Sequence, residues 1–130
     1  MKSNILIIED NEQNLYLVTF ILEKFGYTVI PAHNGQAGID IAKNNRPDLI
    51  LLDIQLPIMN GYEVAKKLRK ILGDAIPIIA ITSYAMPGDR EKALEAGCSD
   101  YITKPINPDT FMTNIEQYLS GPSSSGDITT

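Results

Sequence analysis

The chain has a single cysteine, Cys98, so no internal disulfide is available and the fold must rest on its core. A lone thiol between Gly97 and Ser99 reads as a small buried residue rather than a redox centre. Positive charge is scarce as well. The 11 Lys and Arg against 16 Asp and Glu give a net charge of −5, which argues against the basic face needed for nonspecific binding to nucleic acid or to an anionic membrane. No helix-turn-helix pattern or basic segment is present, so no direct nucleic-acid contact is expected and the partners should be proteins. Long apolar runs are missing too. The run Ile5 to Ile8 is too short for a signal peptide, and nothing approaches the roughly 18 residues of a spanning helix, which leads us to expect a cytoplasmic protein with no membrane contact. What is there is an ordinary globular composition, 44% hydrophobic and 21% charged over 130 residues. That is one domain, large enough for a real core.

Short apolar runs alternate with amphipathic segments and no internal repeat is found. Ile5 to Ile8, Thr28 to Pro31, Leu49 to Leu52, Ile78 to Thr82 and Asp100 to Thr103 read as strands, the second closed by its proline. Leu15, Val18, Leu22 and Phe25 recur at three- and four-residue spacing, predicting a helix from Glu12 to Phe25 that Gly26 stops. A second helix is predicted from Gly35 to Asn45, capped by Asn34, with Ala37, Ile41 and Ala42 inward. Asn60, followed three residues later by Glu63, caps a third that runs to Leu72. Pro87 to Ala96 and Pro108 to Leu119 complete the set. Continuous apolar strands alternating with helices mean a parallel sheet covered on both faces. Residues 1–120 form the domain. The Gly/Ser-rich segment 121–130 has the composition of a flexible tail.

Several polar residues fall at strand ends. Asp53 ends the most apolar run, Glu9-Asp10-Asn11 follows the first, Thr82 and Ser83 end the fourth, and Tyr101 and Lys104 accompany the fifth. A carboxylate ending a buried strand needs a reason to be there, and the carboxyl rim of an open α/β sheet is where ligands bind. Each residue taken alone also has a bland reading. Asp10 or Asn11 can cap a helix, Asp53 can serve the turn before Pro57, Thr82 can bond its own backbone, Lys104 can be a solvated charge, and Tyr101 can simply pack.

Taken together, Glu9-Asp10, Leu52-Asp53-Ile54-Gln55-Leu56-Pro57-Ile58-Met59-Asn60-Gly61, Thr82-Ser83-Tyr84-Ala85 and Tyr101-Ile102-Thr103-Lys104-Pro105 resemble the receiver domain of two-component response regulators, in order and with family spacing from Asn4 to about Leu119. The resemblance implies a flavodoxin-like (βα)5 fold, a doubly wound five-stranded parallel sheet of order 2-1-3-4-5. It implies that Asp53 accepts a phosphoryl group from a histidine kinase or histidine phosphotransfer protein. Mg²⁺ is then expected on Asp10, Asp53 and the backbone carbonyl of Gln55, with Glu9 acting through a bound water. Lys104 and Thr82 would contact the phosphoryl oxygens, Thr82 and Tyr101 would act as the switch, and the bond to Pro105 would be cis. The face from Pro87 to Leu119 would pass the signal to a downstream protein effector, without turnover of a separate substrate. The chemistry agrees with this: carboxylates crowded at one rim repel by about 4 kcal/mol per close pair at an effective dielectric near 20. Lys104 and a hard divalent ion relieve that repulsion. An EF-hand is excluded because Asp53-Ile54-Gln55 lacks the alternating acids.

Two other classes compete. A haloacid dehalogenase-like phosphohydrolase also uses an aspartate nucleophile with Mg²⁺, but normally needs a second acid two residues on, where this chain has Gln55. A flavodoxin-like electron carrier needs a phosphate cradle, and Glu9-Asp10-Asn11-Glu12 would repel a flavin phosphate. Within the family, the chain is either a free-standing regulator or a receiver module excised from a hybrid sensor histidine kinase.

Overall fold

The computed structural model describes residues 3–83 and 86–128, with 120–128 described by their backbone alone. Tyr84 and Ala85 of the Thr82 to Ala85 motif, and the last two residues of the tail, lie outside the described residues. Strands and helices alternate as β1 (Asn4–Ile8), α1 (Glu12–Lys24), β2 (Thr28–Ala32), α2 (Gly35–Asn44), β3 (Leu49–Asp53), α3 (Gly61–Leu72), β4 (Ile78–Thr82), α4 (Asp89–Glu95), β5 (Asp100–Thr103) and α5 (Pro108–Ile128). All strand pairs are parallel and the sheet order is β2-β1-β3-β4-β5. This is the flavodoxin-like, doubly wound arrangement expected from the sequence. Its chain reversal lies between β1 and β3, where such sheets open a crevice at the carboxyl ends of the strands.

Side-chain alternation divides each strand between two cores. Leu6, Ile8, Ile50, Leu52, Ile78 and Ala80 pack with Ile39, Ala42, Val64 and Leu68 of α2 and α3. Ile5, Ile7, Leu49, Leu51, Ile79 and Ile81 pack with Leu15, Val18, Leu22, Phe111 and Ile115 of α1 and α5. Every strand residue of β3 and β4 is buried, which is why their sequences run apolar without a polar alternate. Gly38 lets α2 lie directly on β1: a Cβ there would stand 2.3 Å from Ile8 Cδ1. The contact fixes the end of β1, and with it the acids that follow.

Four local expectations are corrected. Phe25 is the C-cap of α1 and 45% exposed, and Ile21 takes the inner position instead, because Phe25 is already off the helix and the helical period no longer applies to it. On α2, Ala42 is buried as expected and Ala37 and Ile41 pack partly buried against the core, but the rest of its buried face is Gly35, Gly38 and Ile39, glycines that hydrophobic periodicity passes over. β2 continues one residue past Pro31. Thr28 N–H donates to Ser3 and Ala32 C=O accepts from Glu9, so alternate residues 29 and 31 face away from β1 and proline loses no ladder bond there. α5 continues to Ile128, past the end at Leu119 read from the sequence, because helical periodicity marks a helix only as far as its apolar residues recur. Among the described residues, no helix is long and apolar enough to cross a membrane.

Candidate functional site

β1 delivers Glu9 to the rim, and the bond from Glu9 N–H to Ala32 C=O (2.9 Å) keeps that residue in line with the sheet. Asn11 caps α1 by accepting the Asn14 N–H at 2.9 Å, while its own N–H donates to Glu9 Oε2 at 3.1 Å. Asp53 is the last residue of β3 and is 5% exposed. Its Oδ1 accepts the Gln55 N–H at 2.9 Å. The loop after it closes tightly because Gly61 has no side chain: a Cβ would lie 2.5 Å from Ile54 Cα and 2.9 Å from Asp53 O. Close approach, not an unusual φ, is what requires glycine here.

The carboxylate oxygens of Glu9, Asp10 and Asp53 come within 4.8 Å of one another. Lys104, following β5, reaches between Glu9 and Asp53, with Nζ 3.1 Å from Glu9 Oε1 and 3.8 Å from Asp53 Oδ2. Its backbone N–H donates to Thr82 C=O at 2.7 Å, and the Lys104-Pro105 peptide bond is cis. The cluster thus holds three carboxylates, and Lys104 meets the two buried ones, Glu9 and Asp53. The excess is visible on Glu9, whose carboxyl is raised from 4.5 to about 7 by burial first and then by hydrogen bonding and charge from Asp53, against the lowering effects of Asn11 N–H and Lys104. Glu9 therefore holds a proton, or half of one, near neutral pH. A hard divalent cation is suited to displace it, since the set offers carboxylate oxygens, no thiolate or imidazole, and negative charge that Lys104 alone does not offset.

Thr82 ends β4 and is 3% exposed. Gln55, whose backbone was the part expected to matter, also contributes its side chain: Oε1 accepts the N–H of Ser83 at 3.1 Å, joining the loops after β3 and β4. Nothing in the residue types pointed to this bond beyond the presence of an amide two residues after the acid. Tyr101 stands apart from the acids. It is half-buried on β5, and its hydroxyl lies 3.5 Å from Asp89 Oδ2, a partner that sequence reasoning did not find. An apolar cavity of about 260 Å³ lies between the start of α2 and Leu56 to Met59. None of the acids lines it, so the chemistry belongs to the open acidic rim.

Three comparisons with known proteins agree with this geometry. The family model for the response regulator receiver domain matches residues 5–116. The polar-differentiation response regulator DivK of Brucella anthropi is 44% identical over 122 residues, covering 92% of this chain and 98% of that protein. The receiver domain of a sensor histidine kinase from Pseudomonas aeruginosa, solved with a magnesium ion coordinated in the active site cleft, superposes with a TM-score of 0.86 at 33% identity, over 93% of this chain and 100% of that one. The receiver domain of the response regulator Ssk1 from Saccharomyces cerevisiae, solved with the histidine phosphotransfer protein Ypd1, gives 0.84 at 34% identity over 90% and 88%. A phosphohydrolase or flavin carrier is not favoured, and the chain belongs to the response regulator receiver domain family of two-component signalling proteins.

Proposed function

We propose that Asp53 is the phosphoacceptor and that the donor is a phosphohistidine on a kinase or a histidine phosphotransfer protein. An Asp53 oxygen attacks phosphorus, the P–N bond breaks, the electron pair returns to the imidazole, and an acyl phosphate remains on the protein. The observation that carries this reading is the placement of Glu9, Asp10 and Asp53 within 4.8 Å with Lys104 reaching between Glu9 and Asp53. Asp10, Asp53 and the Gln55 carbonyl would hold Mg²⁺, with Glu9 acting through water, and the ion would supply neutralisation of the phosphoryl oxygens. Lys104 would exchange Glu9 for a phosphoryl oxygen, and Thr82 would donate its hydroxyl to another.

Phosphorylation replaces one negative charge by about two, with three acceptor oxygens. Thr82 moving toward that group leaves room beside β4, which Tyr101 fills by turning inward, and the α4-β5-α5 face changes for a downstream protein. The exposed apolar residues Tyr16, Leu17 and Phe20 lie on α1, the helix that starts at the acidic rim, and give the donor protein a surface to dock on. The receiver unit is residues 1–120 and 121–130 is its Gly/Ser-rich tail; the protein works in the cytoplasm and turns over no separate substrate. The test is labelling by acetyl phosphate in Mg²⁺. Wild type should label and Asp53→Asn should not, with both folded by circular dichroism. Equal labelling of the variant would remove Asp53 from this role.

A further inference from the structure

The N–H of Ser83 is a donor left over by the sheet. In a parallel strand a residue turns its N–H and C=O to the same neighbour, and the next residue turns to the other. Ile81 C=O accepts from Ile54 N–H at 3.0 Å, so Ile81 faces β3, and Ser83, two residues on, faces the same way. Its ladder acceptor there would be the carbonyl of Ile54. That carbonyl instead accepts Gly61 N–H at 3.0 Å, in the tight turn that starts α3. Ser83 N–H is thus directed at the space above the end of β3, next to Asp53, and the Gln55 carboxamide oxygen occupies it at 3.1 Å. Gln55 can reach because its own N–H is anchored on Asp53 Oδ1 at 2.9 Å.

We infer that the Gln55 side chain is a built-in stand-in for an oxyanion on Asp53: it holds the Ser83 N–H while Asp53 is unmodified and must release it when Asp53 carries a phosphoryl group. The inference rests on the phosphoacceptor reading above. It makes Gln55 a positioning residue that opposes phosphorylation through its side chain, separately from any role of its backbone carbonyl. A neutral amide oxygen is the weaker acceptor of the two, since hydrogen bonds to charged oxygens are roughly twice as strong as neutral ones. The exchange therefore runs toward the phosphoryl group, but less far than it would with nothing to displace.

The measurement is ¹⁵N NMR of the whole chain titrated with beryllofluoride in Mg²⁺, in wild type, Gln55→Met, which keeps length and loses the acceptor, and Gln55→Glu, which keeps an acceptor and adds charge. In Gln55→Met the Ser83 amide should shift and exchange faster before any ligand is added. The beryllofluoride midpoint should then fall about fivefold, the worth of one net hydrogen bond. Gln55→Glu should raise it above wild type. A merely structural clasp would predict the opposite for Gln55→Met, weaker binding from a looser loop. Unchanged or weaker binding in Gln55→Met, or a wild-type Ser83 amide that does not respond to beryllofluoride while Asp53 and Thr82 do, overturns the inference alone. No response anywhere in wild type overturns the phosphoacceptor reading and the inference with it.

Discussion

Glu9 should make the metal-free protein less stable as pH rises through neutrality. An unfolded chain loses the Glu9 proton near 4.5, whereas the folded protein keeps it to about 7. Between those values the folded state binds the extra proton, so its advantage is complete below pH 4.5 and is lost as pH climbs through 7. A rise from 4.5 to about 7 corresponds to a loss on the order of 3 kcal/mol above pH 8, at about 1.4 kcal/mol for each tenfold change in proton affinity. Because Glu9 is only 5% exposed, solvent screening does little to reduce this. Urea unfolding in EDTA should therefore show a midpoint about 1–3 M lower at pH 8 than at pH 5. Glu9→Gln removes the titrating group while keeping a polar side chain beside Lys104, and its midpoint should stay nearly flat across the same range. Millimolar Mg²⁺ should restore wild type at pH 8, because a ligand of the native state stabilises by mass action. Its apparent affinity should rise with pH, because binding releases the proton. A wild-type midpoint that is constant or rises from pH 5 to pH 8, or a Glu9→Gln slope equal to wild type, would refute the reasoning.

Thr82→Ala should still accept phosphate from acetyl phosphate but pass on little of the change, leaving Tyr101 in its half-buried position near Asp89. The check is NMR of the beryllofluoride-bound variant, where shifts along residues 87–119 equal to wild type would break the coupling. Gly38→Ala should destabilise the fold by about 1–3 kcal/mol through overpacking, because its Cβ would sit 2.3 Å from Ile8 Cδ1. A thermal midpoint within error of wild type would show that β1 and α2 can part without cost.

The fold was legible because its strands are buried on both faces. Ile78 to Ile81 and Leu49 to Leu52 are apolar throughout, as parallel strands covered by helices on both faces require. The acids were legible for the same reason, since a carboxylate at the end of such a run stands out. What escaped were contacts whose meaning depends on space rather than residue class. Nothing in residue class marks Gly38 and Gly61 as places where two segments touch. Gln55 entered through its backbone carbonyl and as the absence of a second acid, and only the position of Ser83 N–H gives its carboxamide a task. Phe25 was misplaced by extending a period one residue past the helix that generates it.

Pro31 has a consequence for how the protein behaves in a crowded solution. β2 is an edge of the sheet, and its outward backbone groups belong to Val29 and Pro31. With no N–H at Pro31, that edge presents an amide donor only at Val29, too few for a second chain to add as a strand. The edge of a two-faced apolar sheet is a template for self-association, and here one imino acid, placed where it costs the fold no hydrogen bond, blunts it. Replacing Pro31 by valine would complete the outward row of donors and turn the domain toward edge-to-edge aggregation.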